Sequence, residues 1–193
     1  ALDVVPTHGP GPAAHAAAAG RADDREGVGA VCTASVVAAG RRHGVPVREL
    51  LGLARRPLAP TSWTIGLDPI PDALAKIASA SAFEVLKIKL GAPGDMELLR
   101  AVRASTRQVL RVDANEGWTF DGALERLPEL ARLGVEFVEQ PLPAAQLDET
   151  RELRKRSPLP FIADESVHDA ADIPKLAGAF DGINLKLTKC GGI

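Results

Sequence analysis

Six charged residues in this sequence are spaced as if for chemistry. Lys89, Asp113, Glu139, Asp164 and Lys186 each fall near the C-terminal end of a short apolar run, at intervals of 24, 26, 25 and 22 residues, and Lys87 precedes the first by two. In "EVLKIKLG" (Glu84 to Gly91) strand alternation puts Lys87 and Lys89 on one face, with Leu86, Ile88 and Leu90 on the other. A buried ammonium without a partner is costly or gives up its proton, so the lysine face must meet carboxylates, a ligand or water. "QVLRVDAN" sets Val109, Arg111, Asp113 and Asn115 against Leu110, Val112 and Ala114, and "GINLKLTK" sets Asn184, Lys186 and Thr188 against Ile183, Leu185 and Leu187.

If these runs are neighbouring strands, the lysines face three carboxylates at one end of the sheet. Carboxylates converging in a half-buried site repel unless a cation joins them, and oxygen ligands without His or Cys suit Mg²⁺, or Mn²⁺ in its place. Beside such an ion a lysine is expected to have a lowered pKa and to serve as a base near neutral pH. The combination suits abstraction of a proton alpha to a carboxylate, through an enediolate that a metal holds. Singly, each residue has a plainer reading, the lysines as snorkelling edge residues and the carboxylates as strand-end caps; jointly phased, they do not. Lys186 has a chemical rival as the Schiff-base lysine of a metal-free, aldolase-type barrel.

The elements that must position these groups follow from the same period. One strand and one amphipathic stretch about every 25 residues is what a (β/α) TIM-type barrel requires, because each parallel strand needs a crossover helix. An open doubly wound sheet would instead bind at a switch point using two or three strand ends. In "TFDGALERLPELARLG", Phe120, Ala123, Leu124, Leu127, Leu130 and Ala131 share a helix face, Thr119 caps the start, Gly134 ends it, and Pro128 is expected to kink it. Upstream, residues 1–24 are rich in Ala, Gly and Pro and read as loop, Glu26 to Leu53 as helical with Pro46 opening a short second helix, and "RRPLAP" as a linker. This divides the chain into a partial N-terminal region, 1–58, and a partial barrel, 59–193.

The remaining features mostly exclude. With 23 basic and 25 acidic residues in 193, the formal charge of −2 gives no electrostatic case for nucleic acid or an anionic membrane. No apolar run nears the roughly 20 residues that span a bilayer, and the N-terminus lacks a signal-peptide layout, so a cytoplasmic protein is expected. Cys32 and Cys190 are too few for a disulfide framework or a zinc site and read as packed thiols. "GVGAVC" at Gly27 lacks the third glycine of a dinucleotide fingerprint. His8, His15, His43 and His168 have no ligand spacing, and Trp63 and Trp118 read as packing residues.

Taken together, "KIK" (Lys87 to Lys89), "DAN" (Asp113 to Asn115), "EQP" (Glu139 to Pro141), "ADES" (Ala163 to Ser166) and "KLTKCGG" (Lys186 to Gly192) resemble the enolase superfamily. The likeness is to its muconate lactonizing enzyme subgroup, and "TSWTIGLD" and "NLKLTKCGGI" are most similar to the dipeptide epimerases. The resemblance implies Mg²⁺ bound by Asp113, Glu139 and Asp164, with Lys89 and Lys186 as opposed acid/base residues and Lys87 as an auxiliary cation; a lysine base with Mg²⁺ is the family's own pattern. Asn115 and Glu165 are expected to support that site. The implied substrate is a small carboxylate, a dipeptide, handled by a homo-oligomer. Within the subgroup, a muconate-type cycloisomerase or an o-succinylbenzoate synthase-like enzyme is the alternative. The sequence stops after the sixth strand, and residues 1–25 do not resemble the family's capping domain. The expected fold is therefore an incomplete barrel of about six strands with a remnant of that domain. An inactive or partner-dependent fragment is the reading from outside enzymology.

Overall fold

A computed structural model describes residues 25–192. The loop expected for residues 1–24, with His8 and His15, lies outside the described residues. Backbone proximity divides the chain into two compact units, one running from Pro57 to Asn184, the other holding the described residues up to Arg56 together with those from Leu185 onward.

The smaller unit contains helix α1 (Arg25–His43) and the four-residue α2 (Val47–Leu50), for which Pro46 is the extended N-cap residue. Its C-terminal segment packs on α1 at Gly29, where a Cβ would lie 2.9 Å from the Leu187 carbonyl oxygen. After α2 the chain from Leu53 to Pro60 is exposed and without regular structure, which is the linker that the two arginines and two prolines suggest.

The larger unit is a six-stranded, all-parallel sheet in sequential order: β1 (Ser62–Ile65), β2 (Val85–Lys89), β3 (Val109–Asp113), β4 (Val135–Glu139), β5 (Phe161–Ala163) and β6 (Gly182–Ile183). Between them run α3 (Ile70–Ser79), α4 (Asp95–Ser105), α5 (Phe120–Arg132), α6 (Leu147–Arg156) and, before β6, a 3₁₀ turn at Ile173–Leu176. Sequential order with one helix per crossover is the arrangement of a partial (β/α) barrel.

Alternation has the consequence expected of it. Leu86, Ile88, Leu110 and Val112 are fully buried and face the helices, which answer with Ala73 and Ile77, Leu98, Leu99 and Val102, then Ala123, Leu127 and Leu130. These helical positions recur every three or four residues, so each helix lays one apolar stripe on the sheet. Thr119 caps α5 by accepting the Gly122 backbone N–H at 3.2 Å, and Gly134 follows the helix at φ 71°. Pro128 sits inside α5 on its exposed side and does not interrupt the helix.

The sixth strand departs from the sequence reading. "GINLKLTK" alternates over eight residues, yet β6 covers only Gly182 and Ile183. Asn184 still donates to the Ala163 carbonyl at 2.7 Å, but beyond it Lys189 and Cys190 donate back to the Lys186 carbonyl and close a turn. Leu185 and Leu187, expected on a buried face, are 77% and 50% exposed. Lys186 therefore lies past the strand rather than on it. Cys190 is exposed, not packed.

Candidate metal and acid/base site

Lys89, Asp113 and Glu139 close β2, β3 and β4, and Asp164 follows β5 by one residue. The register pairs Lys89 with Asp113 and Asp113 with Glu139, so the three stand side by side across the sheet. Glu139 owes its place to an irregularity: Leu110 pairs with Val135 and Val112 with Val138, so β4 carries one residue more than β3 across this stretch. A bulge of this kind lets Glu136 and Glu139, three apart, share a face. The Arg111 guanidinium accordingly meets Glu136 at 2.6 Å, lies 5.1 Å from the Phe137 ring centroid and reaches Ser62 Oγ at 3.1 Å. Lys87 pairs with Arg111 in the register, and its side chain reaches toward the strand ends.

Lys87 Nζ lies 2.9 Å from Asp113 Oδ2 and 2.7 Å from Glu139 Oε2; Lys89 Nζ lies 2.7 Å from the same Asp113 oxygen and donates to Asn115 Oδ1 at 2.6 Å. Asp113, Glu139 and Asp164 are all buried, none more than 3% exposed. Asp113 Oδ1 accepts the Asn115 backbone N–H at 3.0 Å, an Asx turn that helps hold Asn115 at φ 43°, a left-handed value Asn tolerates. From there Asn115 Nδ2 donates to Glu165 Oε1 at 3.1 Å, while Glu165 Oε2 is buried with no hydrogen-bond partner among the described residues. Asn184 Nδ2 donates to Glu139 Oε1 at 2.9 Å.

Burial governs the electrostatics from both sides. It would lower the Lys87 ammonium, but the hydrogen bonds to Glu139 and Asp113, and then their charges, outweigh it and raise the pKa. Lys87 touches two carboxylates, and their hydrogen bonds set this direction. Glu139 is also raised, by its burial first; the Lys87 hydrogen bond opposes the rise and the charge of Asp113 adds to it.

The donor set suits a hard divalent ion: buried carboxylate oxygens at adjoining strand ends, two of them already drawn onto one ammonium, which marks where positive charge is required. As the side chains stand, no three His, Cys, Asp or Glu among the described residues are gathered around a single metal position. Lys186, exposed in the turn segment after β6, belongs to the smaller unit. His168 is largely exposed, and Trp118 is buried with its Nε1 on Asp95 Oδ2 at 3.1 Å, a packing role.

Two residues of this neighbourhood escaped the sequence reading as contributors. Asn184 shared the alternation with Lys186 and was legible only as a strand-face polar group. Gln140, directly after Glu139, is fully buried at φ 37°. Its signal was a long polar side chain set among apolar residues next to a proline.

Among the described residues no helix is long and apolar enough to cross a membrane. The family described as enolase C-terminal domain-like matches residues 71–193. The L-Ala-D/L-Glu epimerase of Bacteroides thetaiotaomicron is 39% identical over 156 residues, 80% of this chain and 41% of its own length. Muconate cycloisomerase 1 of Rhodococcus opacus is 39% identical over 165 residues, 79% of this chain and 44% of its own. The solved dipeptide epimerase of Cytophaga hutchinsonii, complexed with Mg and the dipeptide D-Ala-L-Val, superposes with a TM-score of 0.73 at 29% identity, over 82% of this chain and 45% of that one. The chain thus spans less than half the length of each of these relatives. The family match takes in strands β2 to β6 with all three strand-end carboxylates, and the chain accordingly belongs to the enolase C-terminal domain-like family.

Proposed function

We propose that this chain is the metal- and lysine-bearing part of a dipeptide epimerase that removes and returns a proton alpha to a carboxylate. The observation that carries the reading is the pair of lysines on β2 drawn onto buried carboxylates at the ends of β3 and β4. Asp113, Glu139 and Asp164 would hold Mg²⁺, with Mn²⁺ as a substitute. Bound there, the ion would supply the positive charge that a substrate carboxylate needs when its α-proton leaves. Lys89 Nζ takes or returns the proton on one side, Lys186 Nζ on the other, and Lys87 keeps positive charge beside the carboxylates. Asn115 holds the Lys89 Nζ in place and is itself held by Glu165. The relatives named as dipeptide epimerases, one of them solved with a dipeptide, support a dipeptide as the substrate.

The likeness to muconate cycloisomerase favours a second reading in which the same lysine and carboxylates act on a muconate. Incubation of the full-length protein and Mg²⁺ with L-Ala-L-Glu, followed by chiral chromatography, is expected to yield L-Ala-D-Glu. Unchanged dipeptides together with consumption of cis,cis-muconate would replace the epimerase by the cycloisomerase.

A further inference from the structure

We infer that Gln140 is a positioning residue for Asp164, its side-chain amide standing in for a main-chain group of β4. In a parallel ladder a residue donates to one carbonyl of its neighbour and accepts from the N–H two residues further on. Gln140 follows the first half of that rule, its backbone N–H donating to the Ile162 carbonyl at 3.0 Å. The Asp164 N–H should then reach the Gln140 carbonyl. That carbonyl points elsewhere: with φ at 37° it accepts the Glu116 N–H at 3.0 Å, from the loop after β3. The side-chain Oε1 of Gln140 takes the vacated role, accepting the Asp164 N–H at 3.0 Å and the Ser166 N–H at 3.2 Å. Its Nε2 donates to Ser166 Oγ at 2.8 Å and to the Leu142 carbonyl at 2.9 Å, which fixes the orientation of the amide. One buried residue therefore ties the ends of β3, β4 and β5 together at the level of the carboxylates, its carbonyl on the β3 side and its side chain on the β5 side.

A left-handed backbone at a non-glycine residue costs about 1–2 kcal/mol. Here it frees the Gln140 carbonyl for the β3 loop and leaves a reach of one side-chain length to the β5 turn. That turn closes at once, the Val167 N–H donating to the Asp164 carbonyl at 3.1 Å, so the backbone of Asp164 is held on both sides.

The inference rests on the reading of Asp164 as a metal ligand, and the test separates the two. Mg²⁺ binding is measured by calorimetry on the full-length protein for wild type, Gln140→Leu, Gln140→Glu and Asp164→Asn, with the melting temperature of each metal-free protein. Gln140→Leu is expected to weaken Mg²⁺ about 10–100-fold, the usual effect of losing a group that orients a ligand. Gln140→Glu keeps an acceptor for the Asp164 N–H but loses the Nε2 donor to the Leu142 carbonyl, so its affinity should fall between those of Gln140→Leu and wild type. Should Gln140→Leu fail to fold, Gln140→Asn, whose amide is drawn back by one methylene, should show the same weakening. Wild-type Mg²⁺ affinity in the Leu or Asn variant, whatever its melting temperature, would reduce Gln140 to a structural residue and overturn the inference. If Asp164→Asn also binds Mg²⁺ as wild type does, the metal-ligand reading fails with it.

Discussion

Lys87 shows how one side chain can serve charge balance and stability together. Its pKa is raised in the folded state, so its stabilising effect is fully present below the unfolded value near 10.4 and fades as pH rises through the folded one. Glu139 runs the other way: burial makes its folded state bind the proton more tightly than the unfolded one. Stability therefore falls as pH rises from the unfolded value through the folded one. Replacement of Lys87 by Met leaves Asp113 and Glu139 side by side without their shared ammonium. Because the Lys87 side chain is 20% exposed, the loss at pH 7 should lie between that of surface and buried pairs, at about 2 kcal/mol. Urea midpoints of the metal-free proteins should show this gap at pH 7 and its closure above about pH 10.5; equal midpoints at pH 7 would mean that the pair contributes nothing. The lysine alternation was legible because the period of a strand is fixed, and Lys87 and Lys89 sit where it puts them. The raised pKa of Lys87 was not, since it depends on which carboxylate oxygens lie within bonding distance.

At the scale of elements, the loops at the strand ends are set by close backbone approach. A Cβ on Gly117 would lie 2.6 Å from Gly91 Cα and 2.8 Å from the Ala114 carbonyl oxygen, so the loops after β2 and β3 meet where no side chain fits. Gly117→Ala should therefore cost about 1–3 kcal/mol, as forced overpacking does, and should disturb the Lys89 to Asn115 contact next to it. Gly66, where a Cβ would make only ordinary contact with the Asp68 carboxylate, Oδ2 at 3.4 Å, provides the control, and Gly66→Ala should be neutral or slightly stabilising in the same melts. A Gly117→Ala protein as stable as wild type would show that the loops can part freely. Pro128 offers a gain. It is exposed, lies within α5 and cannot donate to the preceding turn, so Pro128→Ala should raise the melting temperature by about 2–4 °C; a fall would show that the ring is part of the packing. The sequence announced the ends of α5 through Thr119 and Gly134, because caps are local chemistry. It could not announce the bulge in β4, which arises from the pairing of β3 with β4 and which turns Glu139 onto the face of Asp113. Nor could it show that β6 stops at Ile183, since "NLKLTK" alternates as a strand does and yields only because its backbone bonds back onto Lys186.

Across the whole molecule, a repeating unit of strand and helix places a charged residue at one end of successive strands and leaves the apolar faces to the helices. That regularity made the six strands and their parallel order legible, together with the carboxylates at three strand ends. What lay beyond reach of the period was the lacing between loops, through Asn115, Gln140 and Asn184, because hydrogen bonds among loop side chains follow no repeat. The central claim is that Lys89 and Lys186 exchange the α-proton of a dipeptide from two sides, and isotope exchange tests it most directly. L-Ala-L-Glu and L-Ala-D-Glu are incubated separately with Mg²⁺ and the full-length protein in deuterated water, and loss of the glutamyl α-proton signal is followed by NMR. Replacement of Lys89 should abolish exchange from one epimer and spare it in the other, and replacement of Lys186 should do the reverse. Epimerisation at the wild-type rate in either variant would contradict the account.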